Sequence, residues 1–178
     1  MQLKVNIFGY RLGLSTSLDR VRTEYVAGYT NRCKDGRYIV FLDYDNLEFA
    51  WVKEELKHLQ DRFMLGDFYV FESSDNHYHA VSLSKVMLST YLEILKNSSV
   101  DTNYISVPLY FGKKIWTLRL SDKFDTPIRF IGKFKTSAYT HYYQSTAHSK
   151  VLNTLFNLGI KLDNPDNIKE LILARYPI

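Results

Sequence analysis

The sequence predicts an α+β fold: a βαββαβ core with extra strands and a C-terminal helical extension. Three observations predict it. An apolar run, Tyr38 to Leu42, leads into Asp43-Tyr44-Asp45. A stripe of apolar residues at helical spacing follows. From Asp67 to Leu120 the pattern then reads strand, strand, helix and strand. A hydrophobic content of 46% with only 4 prolines and 8 glycines suits one compact domain with a real core.

Each element has a local reason. Gln2 to Phe8 alternates as a short strand, and Gly9 to Lys34 reads as polar and irregular, with a short helix over Leu18 to Tyr25. Lys34-Asp35-Gly36-Arg37 is a turn that delivers the chain into the central strand. Leu47, Trp51, Val52, Leu56, Leu59 and Phe63 make Asn46 to Phe63 a helix, capped by Asn46 and stopped at Gly66. Asp67 to Glu72 and His77 to Leu83 form a hairpin across the turn Ser73 to Asn76. Ser84 caps a second helix, Lys85 to Asn97. Strands follow near Tyr104 to Phe111, over Ile115 to Leu120 and over Pro127 to Phe134. Two helices, Ser145 to Leu158 and Asp166 to Tyr176, finish the chain. Residues 1–135 thus form the core with its N-terminal extension, and residues 136–178 a helical extension packed on the same domain.

This order is the ferredoxin-like or RRM-like plan. Its first and third strands lie side by side, the fourth flanks the first, and one sheet face stays open. Side chains alternate along a strand, so Val40, Leu42, Tyr44, Trp116, Leu118 and Leu120 face the helices, with Trp51 and Trp116 in the core. The open face then carries Asp43, Asp45, His77, His79, Thr117 and Arg119. Two carboxylates so close repel one another unless a cation sits between them. Hard ions such as Mg²⁺ or Mn²⁺ take such ligands together with substrate phosphates.

Composition narrows the partners. A net charge of +4 and an aromatic content of 15% are compatible with a polyanion whose bases can stack. The single cysteine, Cys33, excludes an intramolecular disulfide and any cysteine-rich zinc site. No apolar run is long enough to span a membrane, and MQLKVNIFGYR lacks a signal-peptide core, so an intracellular, cytoplasmic protein is expected.

The motifs carry a resemblance. FLDYDN resembles the hhhDhD motif of the archaeo-eukaryotic primase superfamily, where h is hydrophobic. FESSDNHYHAVSL is similar to the ETS-turn-x-H-A segment of plasmid RepB-type primases and primase-polymerases, and WTLRLSDKF to the RLPG-type segment that follows there. Ser121-Asp122 stands where that last motif has Pro-Gly. The resemblance covers Tyr38 to Phe124 and implies a minimal DNA primase or primase-polymerase. Such an enzyme would act on a single-stranded DNA template and nucleoside triphosphates, alongside a replicative helicase, in replication of a plasmid, virus or other mobile element. It implies that Asp43 and Asp45 hold Mg²⁺ or Mn²⁺, with Asp101 as a third acid. By the same resemblance His79, Ser74 and Arg119 contact the incoming nucleotide, Arg119 through a planar fork suited to phosphate. The implied chemistry is two-metal nucleotidyl transfer.

Two other readings stand beside it. His77-Tyr78-His79 also spells the His-hydrophobic-His motif of HUH rolling-circle endonucleases. There two histidines bind one metal and a tyrosine attacks DNA; Tyr139, Tyr142 and Tyr143 lie downstream, and Lys150 follows on a helix. The third reading is a non-catalytic RRM-like module that stacks single-stranded nucleic acid on its aromatic side chains.

Overall fold

A computed structural model of the chain describes residues 2–7, 10–15, 25–122, 126–136, 140–166 and 173–177. The fold is α+β, with four helices and antiparallel sheets among the described residues, compatible with a βαββαβ core plus extra strands. In chain order the elements are β1 (Gln2–Ile7), β2 (Tyr10–Ser15), β3 (Tyr25–Thr30), β4 (Tyr38–Tyr44), α1 (Phe49–Phe63), β5 (Phe68–Ser74) and β6 (His77–Val86). They continue as α2 (Leu88–Lys96), α3 (Thr102–Tyr110), β7 (Thr117–Arg119), β8 (Arg129–Phe134), α4 (Thr146–Phe156) and β9 (Leu173–Pro177). The main sheet has the order β4-β6-β5-β8, a second sheet β7-β3-β9, and β1-β2 forms a hairpin.

The expected β4-β6-β5 arrangement is present, with β6 in the middle. The strand of Ile115 to Leu120, however, does not flank β4. Its strand portion, β7, pairs with β3, and the two sheets are stitched at Asn31. The Asn31 amide donates to the Trp116 carbonyl at 2.9 Å, and its own carbonyl accepts from Ile39 at 2.9 Å. The outer edge of β5 is taken by β8 instead.

The sheet carries a core on each face. Val40, Leu42 and Tyr44 pack with Val52, Leu56 and Leu59 of α1 and with Tyr91, Ile94 and Leu95 of α2. On the opposite face Ile39, Phe41, Tyr69, Phe71, Val81 and Leu83 pack with Tyr29, Leu118 and Leu152 of α4. The face expected to be open is therefore covered, except at one end. The strands are apolar at both alternations, and burying both faces removes more apolar area from water than burying one. Cys33 joins this second core, where burial pushes its thiol up to about 11, partly offset by the nearby Lys85.

Several other elements differ from expectation. Tyr104 to Phe111, expected as a strand, lies largely in helix α3, because the Asp101 side chain accepts from the Tyr104 amide and nucleates the first turn. Trp51 is 61% exposed, not core, with its indole N–H directed at Ser99 Oγ. Trp116 is buried as expected. Asn46 does not cap α1; it takes a positive φ in the turn before it, and Glu48 holds the cap position. Ser84 and Lys85 continue β6, and α2 begins only after Met87. Lys85 is buried there between Asp35 and Asp166, 2.6 Å from each. The N-terminal region is strands β2 and β3 where an irregular stretch was expected, and the helix expected over Leu18 to Tyr25 lies outside the described residues except at Tyr25, which opens β3. At the C-terminus α4 matches, while Leu173–Pro177 pairs with β3 as a strand instead of continuing a helix, and residues 167–172 lie outside the described residues. Among the described residues no helix is long and apolar enough to cross a membrane.

Candidate active site

The uncovered end of the main sheet is where β4 finishes and β6 begins. Antiparallel register sets Asp43 directly opposite His79. The His79 Nε2 lies 3.2 Å from Asp43 Oδ1, and the His77 Nδ1 lies 2.7 Å from Asp45 Oδ1. Alternation keeps all four side chains on one side of the sheet, while Tyr44 turns to the other and donates to Glu55 Oε1 at 2.9 Å. The hairpin tip is locked to the end of β4 by the Leu47 amide, which donates to the Asn76 carbonyl at 3.1 Å. His79 is only 7% exposed, so its ring is fixed, whereas Asp45 stands open to solvent.

Arg119 reaches this end from β7. Its guanidinium donates to the Ser73 carbonyl at 2.9 Å and the Ser121 carbonyl at 3.0 Å. Burial lowers its pKa, against the attraction of Asp122 and Asp43. Arg119 thus brings positive charge toward Asp43 while bracing the hairpin. Ser74 ends β5 opposite His77 and lines a cleft of about 570 Å³ with His77, Glu72, Asp75 and Arg129. That volume is in the range of small-molecule sites.

Asp101 is brought to the same place through its backbone. Its amide donates to the Asp43 carbonyl at 2.9 Å, but one carboxylate oxygen is occupied by the α3 cap. Among the described residues no three His, Cys, Asp or Glu side chains gather in a group able to hold a metal ion. A hard divalent ion here would meet carboxylates that are each paired with a histidine. Asp43 and Asp45 would supply two carboxylates, and substrate phosphates and water the remainder, the usual division of ligands for Mg²⁺.

The tyrosines weighed as nucleophiles lie elsewhere. Tyr142 packs against the helix-side core. The Tyr143 ring has the Arg37 guanidinium 6.0 Å from its centroid, at the start of β4. The strand from Arg37 to Asp43 is roughly 20 Å long. Tyr139 lies outside the described residues.

Sequence reasoning missed two features away from the acids: the buried ion cluster on Lys85 at the other end of β6, and the exposure of Tyr110 and Phe111 at the end of α3. The first had a signal, a lysine set in the apolar context LSKVML. Comparison with protein-family models, curated proteins and solved structures gives no match for the chain.

Proposed function

We propose that the chain catalyses template-directed nucleotidyl transfer on single-stranded DNA, in the manner of a minimal primase or primase-polymerase from a replicating mobile element. One observation carries the reading: two carboxylates and two imidazoles meet as cross-strand pairs at the sheet's uncovered end, with Arg119 directed toward them. Asp43 and Asp45 would hold Mg²⁺ or Mn²⁺, which supplies charge neutralisation at phosphorus and activation of a 3′-hydroxyl. The His79 Nε2 faces Asp43, so a metal ion that took this carboxylate would free the imidazole to meet a triphosphate oxygen. The 3′-hydroxyl gives its proton to water, its oxygen forms a bond to the α-phosphorus, the bond from that phosphorus to the bridging β-phosphate oxygen breaks, and pyrophosphate leaves. The cleft beside Ser74 and His77, lined also by Glu72, Asp75 and Arg129, adjoins the His77–Asp45 pair and would be where the nucleotide enters. The rolling-circle endonuclease reading is less favoured, because Tyr142 and Tyr143 lie away from the histidines.

The test is incubation with single-stranded DNA, labelled nucleotides and Mn²⁺ or Mg²⁺, with Asp43→Asn/Asp45→Asn as control. Extended or de novo products that fall by about a thousandfold or more in the variant are expected. DNA joined covalently to the protein would overturn the proposal in favour of the endonuclease. Binding without chemistry would overturn it in favour of a non-catalytic module.

A further inference from the structure

Between α3 and the segment leading from it to β7 runs a groove of about 340 Å³, walled by Tyr104, Val107, Pro108, Phe111, Lys113 and Trp116. No acidic side chain lines it, and α3 carries no charged residue. At the end of the helix Tyr110 is 85% exposed and Phe111 66% exposed, their rings 5.1 Å apart at 88°. Lys113 and Lys114 follow, exposed, and neither is ion-paired among the described residues. Trp116 is 1% exposed, yet its indole N–H has no acceptor among the described residues. Exposed aromatic rings beside cations that have no ion partner among the described residues suit a ligand with flat faces and negative charge. Single-stranded nucleic acid has both.

We propose that α3 and the turn after it form the track on which single-stranded DNA approaches the Asp43–Asp45 end of the sheet. One unstacked base enters the groove against Phe111, and its phosphates meet Lys113 and Lys114. The helix begins at the site, since the Asp101 amide donates to the Asp43 carbonyl, and its nine residues reach roughly 14 Å to Tyr110. The track takes its direction from the nucleotidyl-transfer reading, but the binding itself requires neither metal nor nucleotide.

The experiment is fluorescence anisotropy with a labelled oligothymidylate in EDTA. Tyr110→Ala/Phe111→Ala, both at exposed positions, is expected to keep the wild-type melting curve and to weaken binding by about 10- to 100-fold. Lys113→Ala/Lys114→Ala is expected to lower the slope of log affinity against log salt by about 1.4. Asp43→Asn/Asp45→Asn should bind the oligonucleotide at least as tightly as wild type. In a Trp51→Phe background the remaining tryptophan, Trp116, should change fluorescence as the oligonucleotide binds. Wild-type affinity in the aromatic variant overturns the track, even if extension proves to need Asp43. If that variant instead turns a dimer into a monomer in sedimentation with its affinity unchanged, the patch joins copies of the chain and the track is again overturned. DNA binding that depends on α3, with no extension by wild type, supports the track and overturns nucleotidyl transfer.

Discussion

Acid should loosen the cover over the second face of the sheet, and His148 sets where this begins. The imidazole is held by two bonds of fixed sense. Its Nε2–H donates to the Thr30 carbonyl at 2.8 Å, and its Nδ1 accepts from the Ser145 hydroxyl at 2.7 Å. Both bonds suit the neutral ring. Burial lowers its pKa from 6.5 to about 4, against the hydrogen bond to Thr30 and the attraction of Asp166. Because the folded value lies below the unfolded one, the unfolded chain takes up the proton first. Stability from this group is complete above pH 6.5, falls as pH drops towards 4, and levels off below that. The full loss is about 3 kcal/mol. Asp166 does not blur this window. Its carboxyl is held below its ordinary 3.8, because hydrogen bonds from Lys85 and Thr146 outweigh the effect of burial, so its own contribution is lost at lower pH. Urea unfolding at a series of pH values between 7.5 and 4 measures the effect, with His148→Gln as the comparison. The variant should be less stable at pH 7.5 but flatter across the window. Equal slopes in the two proteins would refute the reasoning.

Two further substitutions test the joints of the fold. Lys85→Met leaves the carboxylates of Asp35 and Asp166 facing each other without their shared cation, and should cost about 3–5 kcal/mol in chemical unfolding; an unchanged midpoint would show that the cluster contributes nothing net. Gly28→Ala places a Cβ 2.7 Å from the Leu118 carbonyl oxygen and 2.9 Å from Thr117 Cγ2, so β3 and β7 must separate. A loss of about 1–3 kcal/mol is expected from thermal melting. Because Arg119 lies directly opposite Gly28, the proposed nucleotidyl-transfer activity should fall further than stability alone predicts.

The order of the central elements was legible because periodicity is a local property. Tyr38 to Leu42, the α1 stripe and the hairpin through Asp75-Asn76 each declare themselves within a short window. The gathering of Asp43, Asp45, His77 and His79 on one face followed from alternation, but the register that sets Asp43 opposite His79 is seen only in the structure. The covered face was also written in the chain, although it was read as open. Ile39, Phe41, Tyr69, Phe71, Val81 and Leu83 are apolar at the alternation that carries the acids, a pattern of two-sided burial. Other features depend on distant partners. Whether β7 joins β4 or β3 is decided at Asn31, far away in sequence. The α3 segment has strand-like residues, and one capping carboxylate on Asp101 outweighs them. Nothing adjacent to Lys85 in the chain announces Asp166.

The lone thiol of Cys33 is a built-in clock. Its thiol is buried where β3 leads towards β4, and its backbone closes the turn at both ends, the amide donating to the Arg37 carbonyl and the carbonyl accepting from the Gly36 amide. A thiol pushed up to about 11 yields little thiolate near neutrality, and thiolate is the form that reacts with alkylating reagents. Labelling therefore waits for the turn to open. With one cysteine in the chain, a single exponential of modification reports how far the seam between the two sheets opens, and how often once reagent is in enough excess to outpace reclosing, with no second thiol to confuse the trace.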